Sequence, residues 1–151
     1  MKEYSPFFFL SFLLLMSSAG YAQKNPPSLG LRLSTPYPTL SNAITLRINA
    51  PGEKALEGIF SFGERLGVGM LYEKFISLKS PGFYWFYGVG GYVGFESKQT
   101  YFGPTGIVGL DYNFREIPLN LSLDLKPELD LAPKLSFIVY SVGLSARYVF
   151  P

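Results

Sequence analysis

Between Asn120 and Asp130 every second residue is polar: Asn120, Ser122, Asp124, Lys126, Glu128 and Asp130. On an extended strand such residues share one face. The carboxylates of Asp124 and Glu128 could therefore act together as general acid and base, or pass protons along a path. Arg32, Arg47, Glu57, Glu73, Asp111, Arg115 and Arg147 add charges on other segments. Five cations against six carboxylates nearly cancel, and they are spread along the whole chain. That pattern favours structural ion pairing over a single catalytic centre, because charges taken out of water must find partners or stay hydrated.

Other chemistry is restricted by what is absent. The chain has no His and no Cys, so Ser–His hydrolysis, thiol chemistry, disulfides and Cys/His zinc sites are unavailable. The glycines between Gly88 and Gly94 do not form a dinucleotide fingerprint, since Val93 stands where the last glycine is needed. The sequon Asn120-Leu121-Ser122 falls inside a strand pattern rather than a loop, and is discounted for that reason. No enzymatic activity, cofactor or metal is expected. Thirteen Lys and Arg against eleven Asp and Glu give +2 without any basic run, so no nucleic-acid partner is expected either.

The elements that carry these residues alternate at period two, broken by turn signals. Leu119, Leu121, Leu123, Leu125, Leu129 and Leu131 oppose the polar series above. Near the end, Val142, Leu144, Ala146, Tyr148 and Phe150 oppose Ser141, Gly143, Ser145 and Arg147. Similar alternation surrounds Leu31, Leu46, Phe60, Met70, Val89 and Leu110. Breaks at Pro36-Tyr-Pro38, Pro51-Gly52, Gly63-Glu64, Ser80-Pro81-Gly82, Gly103-Pro104, Pro118 and Pro133 separate about eight strands. All are short, so neighbours should pair as hairpins and close into an all-β, eight-stranded antiparallel up-and-down barrel. An aromatic content of 17%, with 16 Gly and 12 Pro, suits such a sheet better than helices.

Residues 1–22 read as a cleaved signal peptide: Lys2 precedes the apolar block Pro6 to Met16, and small residues lead to Ala22. The block is too short to cross a bilayer as a helix. Residues 23–28 form a polar lead-in, and 29–151 a single barrel domain.

Bulk decides which face points outward. An eight-stranded barrel has room inside only for modest side chains, and the apolar face is crowded with Leu, Phe, Tyr, Trp and Ile. The opposite face carries glycines and serines. The apolar face should therefore point out, toward lipid, as in a transmembrane barrel, with Tyr72, Trp85, Tyr112, Phe114, Tyr148 and Phe150 forming aromatic girdles. The charges then form a lumenal ion-pair network: Arg32, Arg47, Glu57, Glu73, Asp111, Arg115, Asp124, Lys126, Glu128, Asp130 and Arg147. The opposite sidedness would make a soluble periplasmic, lipocalin-like barrel that binds a small ligand.

The short-looped strand succession and the ending Ala146-Arg147-Tyr148-Val149-Phe150 resemble the small eight-stranded outer-membrane barrels of the OmpA transmembrane domain and OmpX type. Gly88-Val-Gly-Gly-Tyr-Val-Gly94, Gly106-Ile-Val-Gly-Leu-Asp-Tyr112 and Ile117-Pro-Leu-Asn-Leu-Ser-Leu-Asp-Leu-Lys-Pro127 are closer to the families known simply as outer membrane protein β-barrels. The resemblance implies outer-membrane localisation, lipid as surroundings, and the barrel-assembly machinery as a partner in biogenesis. Tyr148 and Phe150 would be its recognition signal. Pro151 departs from the family's usual terminal Phe.

Overall fold

The computed structural model describes residues 26–35 and 38–151, so the signal-peptide expectation for residues 1–22 lies outside the described residues. The strands are β1 (Ser28–Ser34), β2 (Ala43–Ala50), β3 (Lys54–Phe62), β4 (Leu66–Ser77), β5 (Phe83–Glu96) and β6 (Gln99–Asn113). They are followed by β7, in two pieces (Leu119–Leu125 and Glu128–Asp130), and β8, also in two pieces (Ser136–Ile138 and Val142–Val149). Each pairs antiparallel with the next, and β8 pairs with β1, which closes the barrel. Closure leaves no long open edge.

The interruption of β7 has a local cause. Pro127 has no N–H, so the Gly106 N–H donates to the Pro127 carbonyl at 3.1 Å with no reciprocal bond possible. Ser28 belongs to β1 rather than to the polar lead-in, and its side chain is buried.

Most connections fall where turn residues predict them. Gly52 and Gly82 each sit at φ 81°, which suits residues without a Cβ. The break expected at Gly103-Pro104 is a correction: both residues lie within β6, and β5 turns into β6 through Ser97 and Lys98. These two have φ of 45° and 66°, the pair of positive values a two-residue hairpin turn needs. The β5–β6 connection is therefore a tight two-residue hairpin at 97–98.

The barrel has two distinct ends. The start of β1 and the end of β8 meet the β2–β3, β4–β5 and β6–β7 turns at one, here the terminus end. The other four connections gather at the loop end. The β1–β2 connection folds inward there rather than outward: Thr39, Leu40 and Ser41 are fully buried. The Ser41 N–H donates to Ser61 Oγ at 3.2 Å. A methyl group added at Gly67 or Gly94 would run into Thr39, and one at Gly69 into Leu40. The small inward residues of β4 and β5 thus make room for a plug drawn from the chain itself.

Inside, the apolar core of Ala55, Ile59, Leu71, Phe75, Phe86, Tyr92 and Ile107 comes from β3 to β6, with Leu40 of the plug and Ala43 of β2 packed against it. The polar interior lies mainly on β7, β8, β1 and β2. Gly69→Val should force Leu40 out of its seat and lower stability by about 1–3 kcal/mol. Gly91→Ala on the outer face should change little, because its added methyl meets only the Gly103 carbonyl at 3.5 Å. Urea unfolding midpoints of the two variants should separate, and coincident midpoints would contradict the plug.

Candidate functional site: the charged interior

β2 and β3 carry Arg47 and Glu57 directly opposite each other, and β3 and β4 bring Ala55 opposite Glu73. This register gathers one cluster around Arg47. Its Nη1 donates to Asp111 Oδ1 at 2.8 Å, Nε lies 3.2 Å from Glu73 Oε2, and Nη2 lies 3.8 Å from Glu57 Oε2. The guanidinium also stands over the rings of Phe75 and Phe86, 4.9 and 5.5 Å from their centroids. Phe75 and Phe86 themselves stack at 5.1 Å. One arginine therefore ties carboxylates of β3, β4 and β6 to aromatic rings of β4 and β5.

Arg147 extends the cluster to β7 and β8. It donates to Glu57 Oε1, to Thr45 Oγ1 at 3.0 Å, to Asn120 Oδ1 at 3.1 Å and to Ser122 Oγ at 2.7 Å. Asn120 Nδ2 in turn donates to Asp111 Oδ2 at 2.8 Å. Further toward the loop end Arg32 pairs with Asp124, and Gly143 leaves space for the Arg32 guanidinium. Lys126 Nζ lies 2.7 Å from Glu128 Oε1, with both side chains fully buried.

Glu128 also holds the plug. Its two oxygens accept the backbone N–H groups of Thr39 at 2.6 Å and Leu40 at 2.9 Å. Asp130, the last inward residue of β7, accepts from the Tyr92 hydroxyl at 2.7 Å and from Arg65 Nη1 at 2.9 Å. The inward face of β7 is thus an ordered ladder of polar groups along the barrel wall.

Ten of the expected interior charges are buried together here. Arg115 is not among them: it is exposed in the β6–β7 turn, beyond the end of β6, so the strand parity that assigned it inward no longer applies. Four buried cations then face six buried carboxylates. Arg65, which follows Gly63-Glu64 in a turn, supplies the missing charge at the loop end. It bonds Asp130, Thr39 Oγ1 and Glu96, and sits 3.5 Å over the Tyr101 ring. Only its position beside a turn distinguished it in the sequence, and turns give no inward or outward parity.

At the terminus end the lumen opens into a vestibule of about 680 Å³, with Arg47, Asp111 and Asn120 in its floor and Tyr84 and Phe75 in its wall. Tyr148 and Phe150 are exposed on the outer face beside it, edge to face at 5.4 Å. The Phe150 N–H donates to the Pro27 carbonyl at 3.0 Å, which ties the segment entering β1 to the segment leaving β8.

The carboxylates that could have acted as acid and base are each bound by cations or amides, and Asp124 and Glu128 have different partners. The arrangement braces strands against one another across the lumen. Comparison with protein-family models, with curated proteins and with solved structures finds no match to the chain.

Removing one partner of a buried ion pair leaves the other charge without compensation. Glu128→Gln should strand Lys126 and deprive one plug N–H of its acceptor, lowering stability by about 3–5 kcal/mol. Arg115→Gln at the exposed turn should stay within about 0.5 kcal/mol of the parent. Parallel chemical unfolding of both variants checks the contrast, and equal losses would contradict the network.

Proposed function

We propose that the chain is an integral β-barrel of a Gram-negative outer membrane, with a closed ion-paired lumen, a structural role in the envelope and no catalytic activity. The observation that carries this reading is the outer surface. Leu33, Leu46, Phe60, Met70, Val89, Leu110, Leu125 and Leu144, one from each strand in order, are exposed, with Leu33 at 65% and Val89 at 68%. Water-soluble domains rarely present an apolar patch of more than a few hundred Å², and here the apolar band runs round every strand. A lipid environment makes the same surface favourable, because the ladders of the closed sheet pair the strands with one another and leave no long open edge.

Aromatic clusters near both strand ends fit the interfacial belts of such barrels. Phe83 and Tyr112, Tyr112 and Phe114, Trp85 and Tyr87, and Tyr148 and Phe150 pack in pairs toward the terminus end. Phe62, Phe95, Phe102 and Phe137 are exposed toward the loop end. The longest connection, over 35–42, lies at the loop end, which supports an orientation with the terminus end toward the periplasm. Phe150, with Tyr148, is available on the outer face as a signal for barrel assembly. The absence of His and Cys and the pairing of Asp124 and Glu128 with separate cations support a non-enzymatic role.

Membranes washed with carbonate should retain the protein; recovery in the periplasmic fraction would overturn the proposal. Leu125→Arg should cost about 2–4 kcal/mol of folding into lipid if that residue lies near the bilayer midplane. Vesicle-folding titrations measure this directly, and an unchanged free energy would contradict a lipid-facing Leu125. Removing Phe150 with Pro151 should reduce assembled yield in cells, whereas removing Pro151 alone should not. Equal yields would deny the terminal aromatic a signalling role.

A further inference from the structure

We propose that Lys54 and Lys74 form a binding site for the phosphodiester headgroup of an anionic phospholipid, on the outer wall at the terminus end. The inference rests on the membrane reading above. β3 and β4 place Lys54 and Lys74 directly opposite each other. Both stand on the outward parity of their strands, since Ala55 and Glu73 beside them are buried and Leu56 and Tyr72 are exposed. Like charges directly across a sheet repel and weaken the pairing, and neither lysine takes part in an ion pair among the described residues. A shared anion between the two ammonium groups converts that repulsion into attraction.

The surroundings set the depth and the kind of anion. Tyr87 lies opposite Lys74 on its other side, and Trp85 packs against Tyr87 at 5.4 Å. The lysines therefore stand in the aromatic belt, at the level of lipid headgroups. Both are half-buried, and a lysine at such a position can keep its stem on apolar surface and its ammonium in water.

The same columns provide a seat for an acyl chain. Four residues along β3 from Lys54, about 13 Å at the strand rise, Gly58 faces outward between Leu46 and Met70. A methyl there would meet nothing nearer than the Leu46 carbonyl at 3.9 Å. This notch, bordered by Leu56 and Phe60, runs toward the bilayer interior from the paired cations. Headgroup and chain thus have adjoining places, which a free phosphate ion could use only in part.

The test uses the folded barrel in maltoside micelles, which contain no phosphate, and titrates phosphatidylglycerol while native mass spectrometry counts bound lipid. The parent should bind one lipid saturably, and the Lys54→Gln/Lys74→Gln variant about thirtyfold more weakly, as expected for losing two interfacial cations. Without lipid the variant should be at least as stable as the parent, because the repulsion is gone. The charge-conserving pair Lys54→Arg and Lys74→Arg should retain binding, which separates a lost site from a damaged fold. Equal lipid affinity in parent and Gln variant overturns the site. Protection of the parent by inorganic phosphate alone, to the same extent, overturns the lipid as its ligand. A parent that stays soluble and monomeric without detergent refutes the membrane reading itself.

Discussion

The guanidinium of Arg47 faces three carboxylates and two aromatic rings, and most of the barrel interior is arranged around it. An arginine in the middle of a narrow lumen is tolerable only if several partners surround it, since the desolvation cost of an isolated ion is several kcal/mol. Its planar fork can address more than one carboxylate at once, which a lysine ammonium does less well. Glu57 is shared with Arg147, and Arg147 reaches Asn120 and Ser122, so the contacts of one residue become links among β2, β3, β4, β6, β7 and β8. The strands are held from inside as well as by their ladders.

That arrangement follows from the geometry of an eight-stranded barrel. The lumen is too narrow for bulky residues from every strand, so most large apolar side chains are placed outside, and the inner wall combines small and polar groups with one apolar cluster on β3 to β6. Where the inner wall is reduced to glycine, on β4 and β5, the β1–β2 connection supplies the missing volume with Thr39 and Leu40. Glu128 then joins the two halves of the interior, pairing with Lys126 below and binding the backbone of the plug above. Ion pairs inside proteins are weak evidence of net stability. Their role here is better described as fixing which strands face each other and where the plug sits.

Strand number, order and sidedness were legible in the sequence because alternation at period two is a direct imprint of a sheet with unlike faces. Asp124, Lys126, Glu128 and Asp130 were found from parity alone, and all four are buried, three on β7 and Lys126 in its interruption. Parity fails where strands end. Arg115, one residue past Phe114, was carried inward by counting, but the chain had already left the sheet. Arg65 was missed for the same reason in reverse, since a turn residue can swing over the loop end and reach Asp130. Gly103-Pro104 was misread because proline normally ends a strand, yet Pro104 lies where β6 meets the interrupted part of β7 and a missing donor is tolerated. The plug had no sequence signature: Thr39, Leu40 and Ser41 follow a proline turn and look like any surface loop.

Sidedness, with the leucines outward and the ion pairs within, is reported most directly by adjacent residues of β7. In this Cys-free chain, single cysteines at Asp124 and Leu125 can be exposed to a membrane-confined thiol reagent after folding into vesicles. Modification at position 125 with position 124 spared is the predicted result. Modification at 124 with 125 spared would mean that the barrel is inside out relative to this description, and a soluble ligand-binding barrel would take its place.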